Sequence, residues 1–347
     1  MSTTVPDHRY EDIVMGMDAA VFAIDGSGTI TVANPALEDL FQLDASPVGE
    51  PYIEILDVPQ LQDAVNEALE GRSTRIELDL PGPSRRIAVA YASPQKGGQG
   101  AAVQLRDITG IRHLERVRRD FLANVSHELR TPVSVIQASA ETLLNGALED
   151  SVHSRNFVHA IERHAGRMSR IIQGLLDLAR LEAGQRGLAR ERVNVRAAAL
   201  RAMDLTSRRA ESRQVEVRVD VAEDDAVFAD TKGVDQIMSN LVQNAVKYCG
   251  EGGTVTIDAT QVGKAVRLTI SDDGPGIKEK HRPRVFERFY RVDKGRSRDQ
   301  GGTGLGLAIV KHLTHAMGGN VGVEPNDPIG STFWVSLPRF KDAKSSP

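Results

Sequence analysis

Residues 121–132 read Phe121-Leu122-Ala123-Asn124-Val125-Ser126-His127-Glu128-Leu129-Arg130-Thr131-Pro132. An imidazole is followed at once by a carboxylate, and a hydroxyl, Thr131, stands one helical turn further on. Apolar residues recur through the region at helical spacing: Leu114, Val117, Phe121, Val125, Leu129, Val133, Ile136, Ala140 and Leu143. On a helix His127 and Thr131 share a face. That face is not the apolar seam, because His127 lies between Val125 and Leu129, out of phase with both. The imidazole is therefore expected in solvent. A neutral imidazole nitrogen is a nucleophile, and an adjacent carboxylate is suited to orient it and take up its proton. Pro132 cannot donate to the carbonyl of Glu128, so a kink is expected at this turn.

Outward from this stretch, the seam predicts one long helix over 110–148. A second ladder, Val158, Ile161, Ala165, Met168, Ile172, Leu175 and Ala179, predicts another over 152–183. The linker 144–151, with Asn145-Gly146, is short, so the two helices are expected to be antiparallel neighbours. Two helices cannot bury such seams alone; a symmetric dimer forming a four-helix bundle is the natural solution. Residues 183–188 hold two glycines and read as a hinge. Beyond it, 191–340 reads as an α+β domain, with helices at 195–212, 233–248 and 305–317 and strands at 215–221, 254–260, 265–271 and 331–337. Upstream, the turn Gly26-Ser27-Gly28 joins two strand-like pieces, 21–25 and 29–33, into a hairpin. A helix start follows at Asn34-Pro35, then strands at 75–80, 86–92 and 101–106. The ends, 1–12 and 341–347, read as polar tails.

A length of 347 residues predicts two or three domains. Net charge is −4, which gives no electrostatic footprint for nucleic acid. The single cysteine, Cys249, rules out an internal disulfide and a cysteine metal cage, and fits a reducing compartment. The longest charge-free runs, 26–37 and 312–323, are 12 residues each, too short to span a bilayer. No signal peptide is visible, so these residues read as a soluble, cytoplasmic chain.

Four further motifs follow the histidine. Within 235–248, Asn240, Asn244, Lys247 and Tyr248 share one helical face, while Ile237, Leu241 and Ala245 share another. Amides beside a lysine suit a hard cation that keeps waters and binds through phosphates. In 270–277 a strand ends in Asp272-Asp273 and a turn with Gly274 and Gly276, which by itself is a turn signal. Residues 285–291 gather Phe286, Phe289 and Tyr290 in a chain that is only 4% aromatic, which predicts a docked apolar anchor ending in Arg291. Residues 301–307, with Gly302, Thr303, Gly304, Leu305 and Gly306, open a helix; free N–H groups at such a start bind phosphate. No βαβ unit surrounds this run and no Gly-Lys-Ser/Thr follows, so it is neither a Rossmann nor a Walker loop. The polar stretch 291–300 before it is suited to be a lid.

The acceptor stretch and these four boxes, in this order, resemble bacterial two-component sensor histidine kinases, most of all the phosphate-regulon sensors. The resemblance implies a multidomain α+β protein. Residues 13–108 resemble a PAS sensor domain, with Asp107-Ile108-Thr109 as its exit. Residues 109–188 would be the dimerisation and phosphotransfer domain, a dimeric antiparallel helical hairpin. Residues 189–340 would be a GHKL (Bergerat) α/β-sandwich ATP-binding domain of the type shared with gyrase. It further implies ATP and Mg²⁺ as cofactors and a homodimer, with a response regulator as partner. His127 would be the phosphoacceptor and Glu128 its proton acceptor, with Thr131 positioning water for dephosphorylation of the regulator. Asn244 would be the Mg²⁺ ligand, and Lys247 and Tyr248 would contact the nucleotide. Asp272 would accept from the adenine amine, and Arg291 would reach the γ-phosphate. Asp273 stands where family members often carry Asn. A GHKL ATPase of another kind would need no exposed histidine, and an inactive scaffold would show a broken box; none is found. Between residues 21 and 105 the chain has neither His nor Cys, against a His-ligated haem or a flavin–cysteinyl photosensor.

Overall fold

The structure is a computed structural model that describes residues 8–82, 85–97, 99–182, 187–292 and 302–340. The chain divides into two compact units, Met1–Asp120 and Phe121–Pro347.

In the first unit the strands β1 (Ala20–Asp25), β2 (Ile30–Ala33), β3 (Thr74–Leu80), β4 (Arg86–Pro94) and β5 (Gly100–Asp107) form one antiparallel sheet in the order β2-β1-β5-β4-β3. A first helix, α1, spans His8–Met15, and three helices stand between β2 and β3: α2 (Pro35–Phe41), α3 (Tyr52–Ile55) and α4 (Pro59–Leu69). Asn34 caps α2 by accepting from Leu37 N, and Pro35 fills the first turn, where a missing N–H is harmless. Alternation drives the sheet's inner face onto the helices; Phe22, Ile24, Leu37, Leu61 and Leu105 are fully buried and fill the interior. The exit is stitched to the sheet. Ile108 N donates to Ile87 O at 2.8 Å, Ile87 N donates to Thr109 Oγ1 at 2.8 Å, and Thr109 N donates to Asp107 Oδ1 at 2.7 Å. Arg112, one turn on, pairs with Glu77 of β3 and with Glu115.

From this exit α5 runs unbroken over Thr109–Thr142, through Pro132, and the chain then kinks within Leu143–Ala147, where Asn145 and Gly146 leave helical geometry and Gly146 takes φ +117°. The helix α6 (Ser151–Glu182) returns antiparallel. In the second unit, Pro132 and Ser139 of α5 and Leu143 just after it are buried, as are Arg167, Ile171, Gly174 and Leu178 of α6. The ladder read from the sequence stands largely outside this seam: Val158 and Ile172 are 53% and 46% exposed. Residues 183–186, most of the expected hinge, lie outside the described residues, as does nearly all of the expected lid.

The remainder of the second unit is a helix layer on a sheet. Strands β7 (Glu216–Asp220), β9 (Thr254–Val262), β10 (Ala265–Asp272), β11 (Asn320–Pro325) and β12 (Ser331–Pro338) pair in the order β11-β12-β10-β9-β7, antiparallel except for β7 with β9. A separate pair, β6 (Arg190–Asn194) with β8 (Ala226–Asp230), closes one end. Helix α8 (Thr231–Tyr248) lies against the sheet, with α7 (Val195–Ser212) and α9 (Gly306–Ala316) beside it. The spacing of Val234, Ile237, Met238, Leu241, Val242 and Ala245 explains this placement, since all six fall on one face and are buried. Asp230 starts α8 by accepting from Gly233 N at 2.7 Å.

Candidate nucleotide site and acceptor histidine

The polar face of α8 faces away from that core. Asn240 and Asn244 are half-buried on it, and Lys247 is buried at 5% exposure. Lys247 Nζ donates to Tyr248 Oη at 3.0 Å and sits 4.5 Å from the centre of the same ring. Burial pushes the Lys247 pKa down, and the charges of Arg291 and Arg209 push it the same way. The glycine run meets this face directly. A Cβ placed on Gly302 would lie 2.5 Å from Lys247 Nζ, and one on Gly306 would lie 3.2 Å from Asn240 Oδ1. The start of α9 thus adjoins a buried ammonium and the Asn240 amide. That donor set suits a polyphosphate with a hard divalent cation attached.

The far wall comes from β10. Val266, Leu268 and Ile270 point inward, and Asp272 is the next inward position of the same alternation. A carboxylate is thereby placed where an apolar residue would otherwise sit, 4% exposed, and burial lifts its pKa to about 6. Its Oδ1 accepts from Gly274 N at 3.0 Å. Gly274 is required: a Cβ there would stand 2.6 Å from Tyr248 O. Asp273 turns the other way. It accepts from Thr254 N at 2.7 Å and from the Cys249 thiol at 2.8 Å. Both partners are donors, so a carboxylate serves better here than the amide common in the family. Burial, with this hydrogen bond second, pushes the Cys249 thiol up to about 12.

The aromatic segment is docked as expected. Phe286 packs edge-on against Phe333 at 6.2 Å, and Phe289 meets Phe121 of α5 at 5.9 Å. Phe289 N donates to Gly304 O at 2.8 Å, and both residues take left-handed φ, +61° and +73°. Leu305, fully buried, rests on Gly174 of α6; Arg288 pairs with Glu182, and Gln236 donates to Asp177 at 3.3 Å. The segments that flank the expected lid are therefore held by the helical hairpin.

On α5, the His127 ring is exposed and makes no hydrogen bond to another described residue. Thr131, also exposed, donates to His127 O at 3.3 Å. Glu128 is directed inward to Arg167 at 2.6 Å rather than to His127. Arg291 is half-buried beside Lys247. The sequence reading missed Arg209, near Lys247, and Arg213, which donates to Cys249 O at 3.0 Å and closes the end of α8. Their spacing of one turn near the end of an amphipathic helix was the available signal.

Three known families match segments of the chain. Residues 8–108 match the PAS fold, 117–184 the His Kinase A (phospho-acceptor) domain, and 229–341 the histidine kinase-, DNA gyrase B-, and HSP90-like ATPase. The chain belongs to the sensor histidine kinases of two-component systems; it is a protein-histidine kinase with an ATP-binding domain. It is 36% identical to the sensor-like histidine kinase SenX3 of Mycolicibacterium smegmatis, over 99% of this chain and 85% of that protein. To the phosphate regulon sensor protein PhoR of Pseudomonas aeruginosa it is 32% identical, over 94% of this chain and 73% of that one. In fold it is similar to histidine kinase ThkA, solved with the response regulator protein TrrA (TM-score 0.54, 21% identity, 95% and 98% of the two chains). No helix among the described residues is long and apolar enough to cross a membrane.

Proposed function

We propose that this kinase phosphorylates itself on His127, using ATP held by the 189–340 domain, and passes the phosphoryl group to an aspartate of a response regulator. The observation that carries the reading is the exposed, unengaged His127 ring beside Thr131, on a chain whose glycine run adjoins Lys247 and Asn240 of α8. In this reading Asp272 accepts from the adenine amine, Gly274 and Gly276 admit the base, and Tyr248 lies along it. Lys247, Arg291 and the backbone of Gly302, Thr303, Gly304, Leu305 and Gly306 receive the phosphates. Asn240 and Asn244 present amide oxygens for Mg²⁺, with Asn244 the direct ligand. When bound, that ion would offset the negative charge of the phosphates. The distal His127 nitrogen attacks in line, and Glu128 takes the ring proton. The active species is a cytoplasmic homodimer. Thr131 orients water when the same surface dephosphorylates the regulator.

The test is incubation with γ-labelled ATP followed by acid and by alkali. Label that resists alkali, is lost in acid and is absent from His127→Gln, with ATP binding retained, is the expected result. Label that persists in His127→Gln refutes the assignment of the acceptor.

A further inference from the structure

Glu128 is given the task of receiving the His127 proton, yet its carboxylate is engaged elsewhere. Arg167 of α6 is 7% exposed, and its Nη2 donates to Glu128 Oε2 at 2.6 Å. Successive helical residues diverge by roughly 100°, so His127 faces solvent while Glu128 turns towards α6. One turn before Arg167, His164 has a buried Nδ1 without a hydrogen-bond partner. Burial first, then the charges of Arg167 and Arg163, hold its pKa down, so it stands neutral beside the ion pair. The two partners differ in access to water: the Glu128 side chain is 20% exposed and the Arg167 side chain 8%. The carboxylate has a way out, and the guanidinium is fixed in the hairpin.

We propose that Arg167 is a positioning residue for phosphoryl transfer that withholds Glu128 from His127, and that transfer proceeds when this pair opens and the carboxylate swings outward. While the pair is closed the carboxylate is turned to α6, so the imidazole is left without a proton acceptor. With the pair open, the lone pair of the distal ring nitrogen forms the N–P bond to the γ-phosphorus. The bond from that phosphorus to the β,γ-bridging oxygen breaks, and its electrons leave with ADP. The proton on the near ring nitrogen passes to Glu128. The inference rests on the reading of His127 as acceptor.

The experiment measures initial autophosphorylation rates of the full chain at varied ATP for wild type, Arg167→Gln, Arg167→Lys, Glu128→Gln and the Arg167→Gln/Glu128→Gln double variant. Arg167→Gln should raise kcat about threefold or more with little change in KM for ATP, because the freed carboxylate can turn to the imidazole. Glu128→Gln should lower kcat by about 100-fold, the usual scale of a lost general base. In that background Arg167→Gln should change nothing, and Arg167→Lys, which keeps the ion pair, should behave as wild type. Equal slowing by Arg167→Gln in both backgrounds, or no change in either, overturns the inference. Where the Gln variant melts below wild type, Arg167→Met, of similar length and uncharged, is decided by the same outcomes. Label found off His127 in the wild type defeats the acceptor assignment; label confined to His127 with no gain in Arg167→Gln defeats this inference alone.

Discussion

Asp272 shows how a single side chain can trade stability for binding. Its folded pKa, about 6, is raised above the ordinary 3.8. A raised carboxyl stabilises the fold while protonated. That contribution is complete below about pH 4 and is lost as pH rises through about 6. At neutral pH the ionised group costs on the order of 2–3 kcal/mol relative to one in water. Asp272→Asn should therefore melt several degrees higher without ligand and yet lose nucleotide affinity, read by thermal melting and by titration with an ATP analogue. In the wild type, affinity should fall by up to about tenfold per pH unit below about pH 6. A variant that binds as the wild type does and melts no higher would remove Asp272 from the site. Thr131 bears on the second activity. Its hydroxyl is bonded only weakly to the His127 carbonyl, so it can turn to a water without disturbing the imidazole. Thr131→Ala should lose regulator dephosphorylation by about tenfold or more while autophosphorylation stays within about twofold. Parallel loss of both would point to damage of the helix instead. The sequence revealed Asp272 and Thr131 as candidates through their motifs. It could not show that Glu128 faces Arg167, because a buried ion pair across two helices leaves no periodic trace.

At the scale of elements, the strongest periodicities were read correctly. Helices α7, α8 and α9 and strands β9, β10 and β12 lie within a few residues of their predicted spans. Strands β6, β8 and β11 escaped. In β6 three of five residues are charged and only Val193 points inward, β8 runs straight into the cap of α8, and β11 is half-buried and carries Gly322. The ladder on α6 was recognised, but the hairpin's inner face uses Arg167 and Gly174, which no count of apolar residues selects. The continuity of α5 from the Thr109 exit through His127 makes helix phase a testable carrier of signal. One residue inserted after Arg112 turns the downstream helix by roughly 100°. It should shift the kinase-to-phosphatase ratio several-fold, whereas a seven-residue insertion keeps the phase and should shift it little. Equal, small effects in a coupled kinase–phosphatase assay would reduce the first unit to a tether.

For the whole molecule, the apolar faces left by one hairpin matter most. Leu122 on α5 is exposed, as are Val158, Ile172 and Leu176 on α6. Each is worth roughly 1.5–3 kcal/mol when removed from water, and a second hairpin offers the same row in return. Light scattering should therefore give twice the chain mass. Ile172→Glu with Leu176→Glu should give monomers, in which nucleotide binding by the 189–340 domain persists. A dimer that survives both charges would move the interface to another surface.

Cys249 carries a practical consequence. It is the protein's only thiol, buried, bonded to Asp273 and held protonated at every ordinary pH. Maleimides and disulfide reagents attack thiolates, so this position should stay silent towards them in the folded chain. A cysteine introduced on the exposed side of α5 or α6 would then be the single reactive thiol per chain. Spin labels or dye pairs placed that way could follow the hairpin through phosphorylation in solution, without first removing the native cysteine and disturbing the wall of the nucleotide site.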